Sequence, residues 1–416
     1  MRLSDLQSKD IVNVFDGKMI GSIIDVLIND DGSMNSLIVE RGKFFKLSHG
    51  EIEIKWSQVK KIGEDVILVS IDNLWYYLSG DFMGKISINM LSSADKVAGQ
   101  GVGSAYLEQV NLVREGASDL FDIYINSHKK CDIVHVHTVD LWNYFKMNKG
   151  VSVCYVHFLP DTLNGSIKLP KLFDKIFKKY VTKFYNKADH LVVVNPIFID
   201  DLVKFGIKRE KITYIPNYVS REQFYKKDAS DIRKKYNISD DAFVVLGVGQ
   251  VQTRKGVMDF IDVANKMPDT TFVWCGGFSF GRITDGYEEL KKIYENPPKN
   301  VIFTGIVPRE EMNDMYNMAD VLFMPSYNEL FPMSILEAIN SSKPLLLRDL
   351  DLYKDILFEK YLKGTNNDEF VSKLTDLKND KKVYNKYSKL SNEISEFYSK
   401  EHVLEIWKDF YQSIVK

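Results

Sequence analysis

Hydrophobic and polar positions follow two different patterns along the chain. Up to about residue 75, short alternating runs (Ile11 to Phe15, Gly21 to Ile28, Ser36 to Glu40, Glu51 to Lys55, Val66 to Ile71) are separated by turn clusters at Asp16-Gly17, Asn29 to Gly32 and Gly63 to Asp65. Such runs, with no helical pattern between them, predict a small all-β barrel or curled sheet over residues 1–75. Residues 76–84 read as a linker. From Ile86 strands and helices alternate, which predicts parallel α/β layers. Ile86 to Leu91, Asp132 to His137, Val151 to His157 and His190 to Val194 are the strands of a first Rossmann-like half, residues 85–235. Ala242 to Val248, Thr271 to Gly276, Asn300 to Phe303, Asp320 to Met324 and Pro344 to Leu347 form a second, residues 236–390. A helical, aromatic-rich tail, residues 391–416, is expected to pack back on the first half. The fold class is therefore α/β, with two Rossmann-like domains facing a cleft behind a small β domain.

Composition narrows this only a little. A chain of 416 residues is too long for one ordinary core. A formal net charge of -2 gives no global field for nucleic acid, and no such partner is expected. Met1 to Asp10 is polar, so no secretory signal is expected, and runs such as Leu191 to Val194 fall far short of a membrane span. Cys131, Cys154 and Cys275 lie singly in apolar stretches, which speaks against disulfides and zinc and for the cytoplasm.

The most informative stretch is Ser326 to Ala338, SYNELFPMSILEA. A strand ends in a loop, and Pro332 favours the first helical turn that follows. The first amides of that helix have no intrahelical acceptor and suit a diphosphate. Glu329 precedes the helix and Glu337 lies within it. One carboxylate can reach sugar hydroxyls while the other meets ribose hydroxyls. A second signal is Gly247 to Gly256, GVGQVQTRKG, where a glycine turn after a buried strand delivers Arg254 and Lys255 ahead of a helix. Cations there can neutralise charge on a departing nucleoside diphosphate. A third is Gly99-Gln-Gly-Val-Gly103, a turn before a helix starting at Ala105, whose glycines permit close backbone approach to a ligand.

The histidines and the remaining charges leave alternatives open. His135 and His137 share a strand face with Asp140 following, a set too small for a catalytic metal site. His157, at a strand's carboxyl end, either points into the cleft or is a satisfied core histidine. Asp349-Leu350-Asp351 has the spacing of an Asp-x-Asp metal motif, but reads here as a loop or helix cap. Lys168 to Lys187 sets seven lysines, among them Lys171, Lys175, Lys178, Lys179 and Lys183, against Leu172, Phe173, Ile176, Phe177, Tyr180, Val181, Phe184 and Tyr185 at helical spacing. Either this helix adsorbs to anionic lipid through its lysines, or it packs its aromatic face on the sheet with the lysines in water.

Glu-x7-Glu, the Pro344 strand after it and the glycine turn with Lys255 resemble the retaining family-4 glycosyltransferases of GT-B fold. The likeness covers residues 85–416. Asn89 to Gln109, Tyr155 to Pro160 and Ala319 to Asp355 are similar, more specifically, to bacterial enzymes that glycosylate diacylglycerol or its monoglycosyl form. The resemblance implies a hexosyltransferase that moves a hexose, with retention, from UDP-glucose or UDP-galactose to such a lipid. It would work in the cytoplasm, peripherally on the inner face of the membrane, and need neither cofactor nor metal. It implies that Glu329 and His157 contact the transferred sugar, Glu337 the ribose, and the amides of Phe331, Met333 and Ser334 the phosphates. Gly101, Gly103 and Gly249 would line the donor. Where the family has an arginine after the strand glycine this chain has Gln250, with Arg254 as the substitute charge. A polysaccharide or teichoic-acid-type acceptor is the alternative within the class. A sugar-nucleotide epimerase, or an adaptor acting through the β head, lies outside it. The head resembles the PRC-barrel-like YlmC/YmxH sporulation-protein family, through Met1-Arg-Leu-Ser-Asp-Leu and Trp56 to Val69, which implies a binding module with a protein partner.

Overall fold

The computed structural model describes residues 3–14, 17, 19–29, 32–41, 51–71, 85–93, 101–157, 159, 171–279 and 281–415. It comprises two compact units, Met1–Lys85 and Ile86–Lys416.

In the first unit, a short helix at Leu3–Gln7 precedes β1 (Asp10–Asn13), β2 (Met19–Ile28), β3 (Met34–Arg41), β4 (Glu51–Lys55), β5 (Val59–Ile62) and β6 (Val66–Val69). They form one sheet in the order β4-β3-β2-β1-β6-β5, antiparallel except where β1 runs parallel to β6. Alternation puts Ile11, Ile20, Ile23, Leu37, Val39, Ile54, Ile67 and Val69 on one buried face. The buried amide of Asn13 is satisfied by Ile71, donating to its carbonyl and accepting from its amide, both at 3.1 Å. β5 is an addition to the strands expected from sequence.

The second unit holds two parallel sheets. The first lobe comprises β7 (Ile86–Leu91), β8 (Phe121–Ile125), β9 (Ile133–Val136), β10 (Val151–Val156), β11 (His190–Val193) and β12 (Ile212–Tyr214), in the order β12-β11-β10-β9-β7-β8. The second lobe comprises β13 (Val244–Val248), β14 (Thr271–Cys275), β15 (Val301–Gly305), β16 (Val321–Met324), β17 (Leu345–Arg348) and β18 (Leu362–Gly364), in the order β15-β14-β13-β16-β17-β18. All four residues of β9 and of β16 are buried, as in strands covered on both faces. Strand order reverses between β13 and β16. Loops leaving the carboxyl ends of strands at such a reversal diverge to opposite faces and open a crevice, which is where ligands bind in doubly wound sheets.

The helix expected from Ala105 begins at Gly101 and runs to Gly116, so Gly101 and Gly103 are helical and not part of a turn. Glycine costs little in a helix's first turn, and burial of Ala105, Tyr106, Val110 and Val113 holds the helix on the sheet. Residues 94–100, including Gly99, lie outside the described residues. Ser230–Lys235 belongs with the second lobe, since Arg233 donates to the carbonyls of Met318 and Ala242 and pairs with Asp320. Lys381–Phe397 packs on the helix Met333–Asn340, and Lys400–Ile414 returns to the helix Gly101–Gly116. There Tyr411 accepts from Gln109 at 2.6 Å, and its hydroxyl lies 2.6 Å from His135 Nδ1.

Candidate active site

Two loops meet where the second sheet reverses. After β13, Gly249 (φ 149°) donates its amide to Cys275 and accepts at its carbonyl from the Trp274 indole, 2.9 Å each. A Cβ on Gly249 would stand 3.3 Å from Lys255 Cε, so the missing side chain makes room for the lysine stem. Gly256, at φ 69°, has no space at all: a Cβ would stand 2.3 Å from the Pro325 carbonyl oxygen. The loop carrying Arg254 and Lys255 is thereby pressed against the end of β16, where the Tyr327 amide donates to the Arg254 carbonyl at 2.8 Å.

That contact gathers the charges. Lys255 Nζ is 2.5 Å from Glu329 Oε1, and Arg254 Nη1 lies 3.4 Å from Oε2 while donating to the Asn328 carbonyl at 2.6 Å. Glu329 is only 5% exposed. Burial alone would raise its pKa, but Lys255 and Arg254 outweigh that and hold it below the ordinary carboxylate value. Burial draws the Lys255 ammonium down, opposed by Glu329. Two cations against one carboxylate leave this pocket a net positive charge, suited to a diphosphate. Gln250 carries no charge and accepts from Gln252 at 3.3 Å.

On the next turn of chain, Pro332 precedes the helix Met333–Asn340. Its first turn presents the Met333 and Ser334 amides, and the Ser334 hydroxyl bonds Met324 Sδ at 3.3 Å. Glu337 is buried and held at both oxygens, by Tyr316 OH at 2.6 Å and by Arg309 Nη1 at 2.8 Å. The first lobe grips the same loop. Asn195 donates to the carbonyls of Leu330 and Leu352 (3.3 and 2.7 Å), and Asn217 to that of Phe331 (3.2 Å). Tyr155 in turn donates to Asn217 at 3.1 Å, and the Phe331 ring packs on Tyr398. Sequence reasoning missed Asn195, Asn217, Tyr316 and Arg309, because these partners lie 21 to 201 positions away and leave no local signature.

The family model for glycosyl transferases group 1 matches residues 228–394, and that for Glycosyltransferase Family 4 matches residues 116–223. The alpha-galactosylglucosyldiacylglycerol synthase of Streptococcus pneumoniae (strain ATCC BAA-255 / R6) is 48% identical over 335 residues, spanning 79% of this chain and 90% of its own. The chain belongs to the family-4 glycosyltransferases. Among solved structures, that of Anabaena Alr3699/HepE in complex with UDP-glucose superposes on 79% of this glycosyltransferase and 100% of its own chain, with a TM-score of 0.64 at 14% identity, which bears out the GT-B fold. The head of the glycosyltransferase matches the PRC-barrel domain over residues 1–75. It is 44% identical over 73 residues to the probable sporulation protein YlmC of Bacillus subtilis (strain 168), which accounts for 17% of this chain and 90% of that one.

In the first lobe, on β9 and after β9 and β10, the transferase carries a row of histidines. His157 follows β10, with its Nε2 3.3 Å from His137 Nδ1 and its ring at the edge of Tyr155. The protein packed around it pulls His157 down to about 3, and burial does the same to His135. His157 is thus a neutral imidazole, fit to share a hydrogen bond with a sugar hydroxyl and unfit as a proton source near neutral pH. The unbonded Nε2 atoms of His135 and His137 are buried. Asp349 and Asp351 turn elsewhere, pairing with Lys363 at 3.6 Å and Lys354 at 2.6 Å.

The basic helix runs from Lys171 to Lys187. Lys168 and the side chain of Lys171 lie outside the described residues. Val181, Phe184 and Tyr185 are buried, whereas Lys175, Lys179 and Lys183 are exposed and Lys178 is half-buried. Ile176 is exposed, contrary to its expected place on the apolar face. Beside this helix stands a second exposed group that sequence reasoning did not single out. In the helix Leu141–Lys146, Trp142 is 80%, Phe145 66% and Leu141 65% exposed. Lys187 joins the two helices, its Nζ 3.9 Å from the Tyr144 ring centroid.

Proposed function

We propose that this glycosyltransferase moves a hexose from UDP-glucose or UDP-galactose, with retention, to diacylglycerol or a monoglycosyl-diacylglycerol at a membrane surface. The observation that carries this reading is the pairing of Lys255 and Arg254 with Glu329 at the strand-order reversal, beside a helix start. The pneumococcal relative's name points to the lipid. In the proposed reaction the bond from the anomeric carbon to the diphosphate oxygen breaks as the acceptor oxygen attacks from the same face. The leaving phosphate takes the hydroxyl proton, while Lys255, Arg254 and the Met333 and Ser334 amides stabilise its charge without a metal. Glu329 and His157 hold the sugar, and Glu337 the ribose. Gln250 leaves the phosphate role to Arg254.

Exposed aromatics beside exposed lysines are the chemistry of an anionic bilayer's interface, where rings enter the headgroup layer and ammonium groups meet lipid phosphates. Among the described residues no helix is long and apolar enough to cross a membrane. The reading therefore places the enzyme peripherally on the inner leaflet, with the PRC-barrel head left to a protein partner.

A panel of UDP- and GDP-sugars with diacylglycerol, glycolipid and soluble acceptors, read by mass spectrometry with and without EDTA, tests the proposal. Hexosyl lipid from a UDP-sugar, formed equally with EDTA and on anionic vesicles, is expected, and Trp142→Ala should cut vesicle binding several-fold. Turnover of soluble acceptors alone, or a trapped glycosyl-enzyme, would refute it.

A further inference from the structure

Arg309 occupies a position that the reaction as proposed does not use. It lies in the turn Arg309–Glu311 after β15 and faces two lobes at once. Its Nη1 donates to Glu337 Oε1 at 2.8 Å, in the second lobe, and its Nη2 to Glu108 Oε1 at 2.5 Å, on the helix Gly101–Gly116 of the first. Both carboxylates are buried, and the guanidinium lies over the Phe224 ring at 5.1 Å. The other oxygen of Glu108 accepts from the Ser220 amide at 3.0 Å, in the segment that leads from one lobe to the other. One guanidinium thus joins two carboxylates that would otherwise repel each other, giving one nitrogen to each.

This arrangement has a consequence at Glu337. A carboxylate oxygen accepts about two hydrogen bonds. With Arg309 on one oxygen and Tyr316 on the other, one acceptor site remains free on each, and both free sites are fixed in direction. Two adjacent free acceptors match two vicinal hydroxyl donors. We propose that Arg309 is a positioning residue of the donor site, holding Glu337 in the pose that receives the ribose diol and making that pose depend on Glu108 of the opposite lobe. Donor recognition and the approach of the lobes are then one event. When Glu108 withdraws, Arg309 is free to rotate, and the carboxylate loses its aim. The inference rests on the reading that Glu337 binds the ribose.

The test compares binding of UDP and 2′-deoxy-UDP by calorimetry, in the full-length protein and in Glu337→Gln, Arg309→Gln, Arg309→Lys and Glu108→Gln. A hydrogen bond to a charged group contributes about 1.5–3 kcal/mol, so the unaltered protein should favour UDP by roughly 10- to 100-fold. Glu337→Gln should reduce that preference to a few-fold. Arg309→Gln and Glu108→Gln should narrow it by about five-fold or more, weakening UDP further than 2′-deoxy-UDP, which has only the 3′-hydroxyl contact to lose, and Arg309→Lys should restore part of it. A merely structural bridge would weaken both ligands alike, and that outcome overturns the proposal. So does an unchanged preference in Arg309→Gln and Glu108→Gln beside a lost one in Glu337→Gln, which leaves the ribose reading standing. A preference that survives Glu337→Gln removes the ribose reading itself, and this inference with it. Glu108→Gln is isosteric and keeps the test open should an arginine variant fold poorly.

Discussion

The two lobes handle buried polar groups in opposite ways. On the second-lobe side, Lys255 and Arg254 stand within 3.4 Å of Glu329 and hold its carboxyl below the ordinary value despite burial. On the first-lobe side, His135, His137 and His157 face one another and aromatic rings, with no carboxylate among the partners described above, so burial keeps all three neutral. Under the proposed reaction the charged side meets the diphosphate, and a neutral His157 adds no second cation to compete for it.

The comparison breaks most visibly at Lys255. Lys255→Met leaves Glu329 facing Arg254 alone and removes the nearer cation, so turnover should fall by about 10²- to 10³-fold, measured as kcat with saturating donor. A loss below ten-fold would mean that the pocket charge is not what stabilises the departing diphosphate. A smaller effect should appear on acidification. The histidine row is neutral when folded, with His135 at about 3, while an unfolded histidine titrates near 6.5. The unfolded chain then binds more protons in between, and stability drops as pH falls from 6.5 toward 3. At pH 5 the loss is about 2 kcal/mol for His135. Glu329 is depressed instead, so its contribution persists above about 4.5 and disappears only at lower pH. Thermal melts between pH 7 and 5 should therefore report chiefly the first-lobe histidines, and His135→Asn should flatten their slope. An unchanged slope would place the acid sensitivity elsewhere. A comparable or smaller effect concerns the seam between the lobes. Asn217→Ala removes the donor to the Phe331 carbonyl and the acceptor for Tyr155, which should cost about 1–3 kcal/mol of stability and raise the donor KM several-fold. Lowered stability with an unaltered KM would show that Asn217 supports the core without placing the loop.

Much of the cleft was legible before any coordinates because its key residues are local. Glu329, Pro332 and Glu337 lie on one strand-loop-helix passage, and Arg254 and Lys255 follow a strand glycine. The central strands β9, β10, β13 and β16 were legible for a related reason, since burial on both faces leaves a mostly apolar run. The strands missed were those at or near edges. In β8, FDIYI, only Phe121 is buried, and β12 and β18 are three residues long, too short to show a period. The start of the helix Gly101–Gly116 was misread because glycines look like a turn when the packing beyond them is unseen. Arg309, Asn195 and Asn217 were out of reach in principle. Each has a partner on the other lobe, and nothing in the neighbouring sequence distinguishes such residues from ordinary surface polar ones. Trp142 and Phe145 failed in reverse, since an apolar pair at helical spacing gives no sign of facing water.

The helix Lys400–Ile414 has an implication for biosynthesis. It supplies Tyr411 to His135 and Gln109, and lays Trp407 against the same strand. A ribosome has therefore made both lobes before the earlier one can close over its own buried imidazole. Until Tyr411 has emerged, a nascent first lobe exposes that polar patch to water, and a chain cut upstream of residue 400 would stay in this unfinished state, a ready substrate for proteases and chaperones.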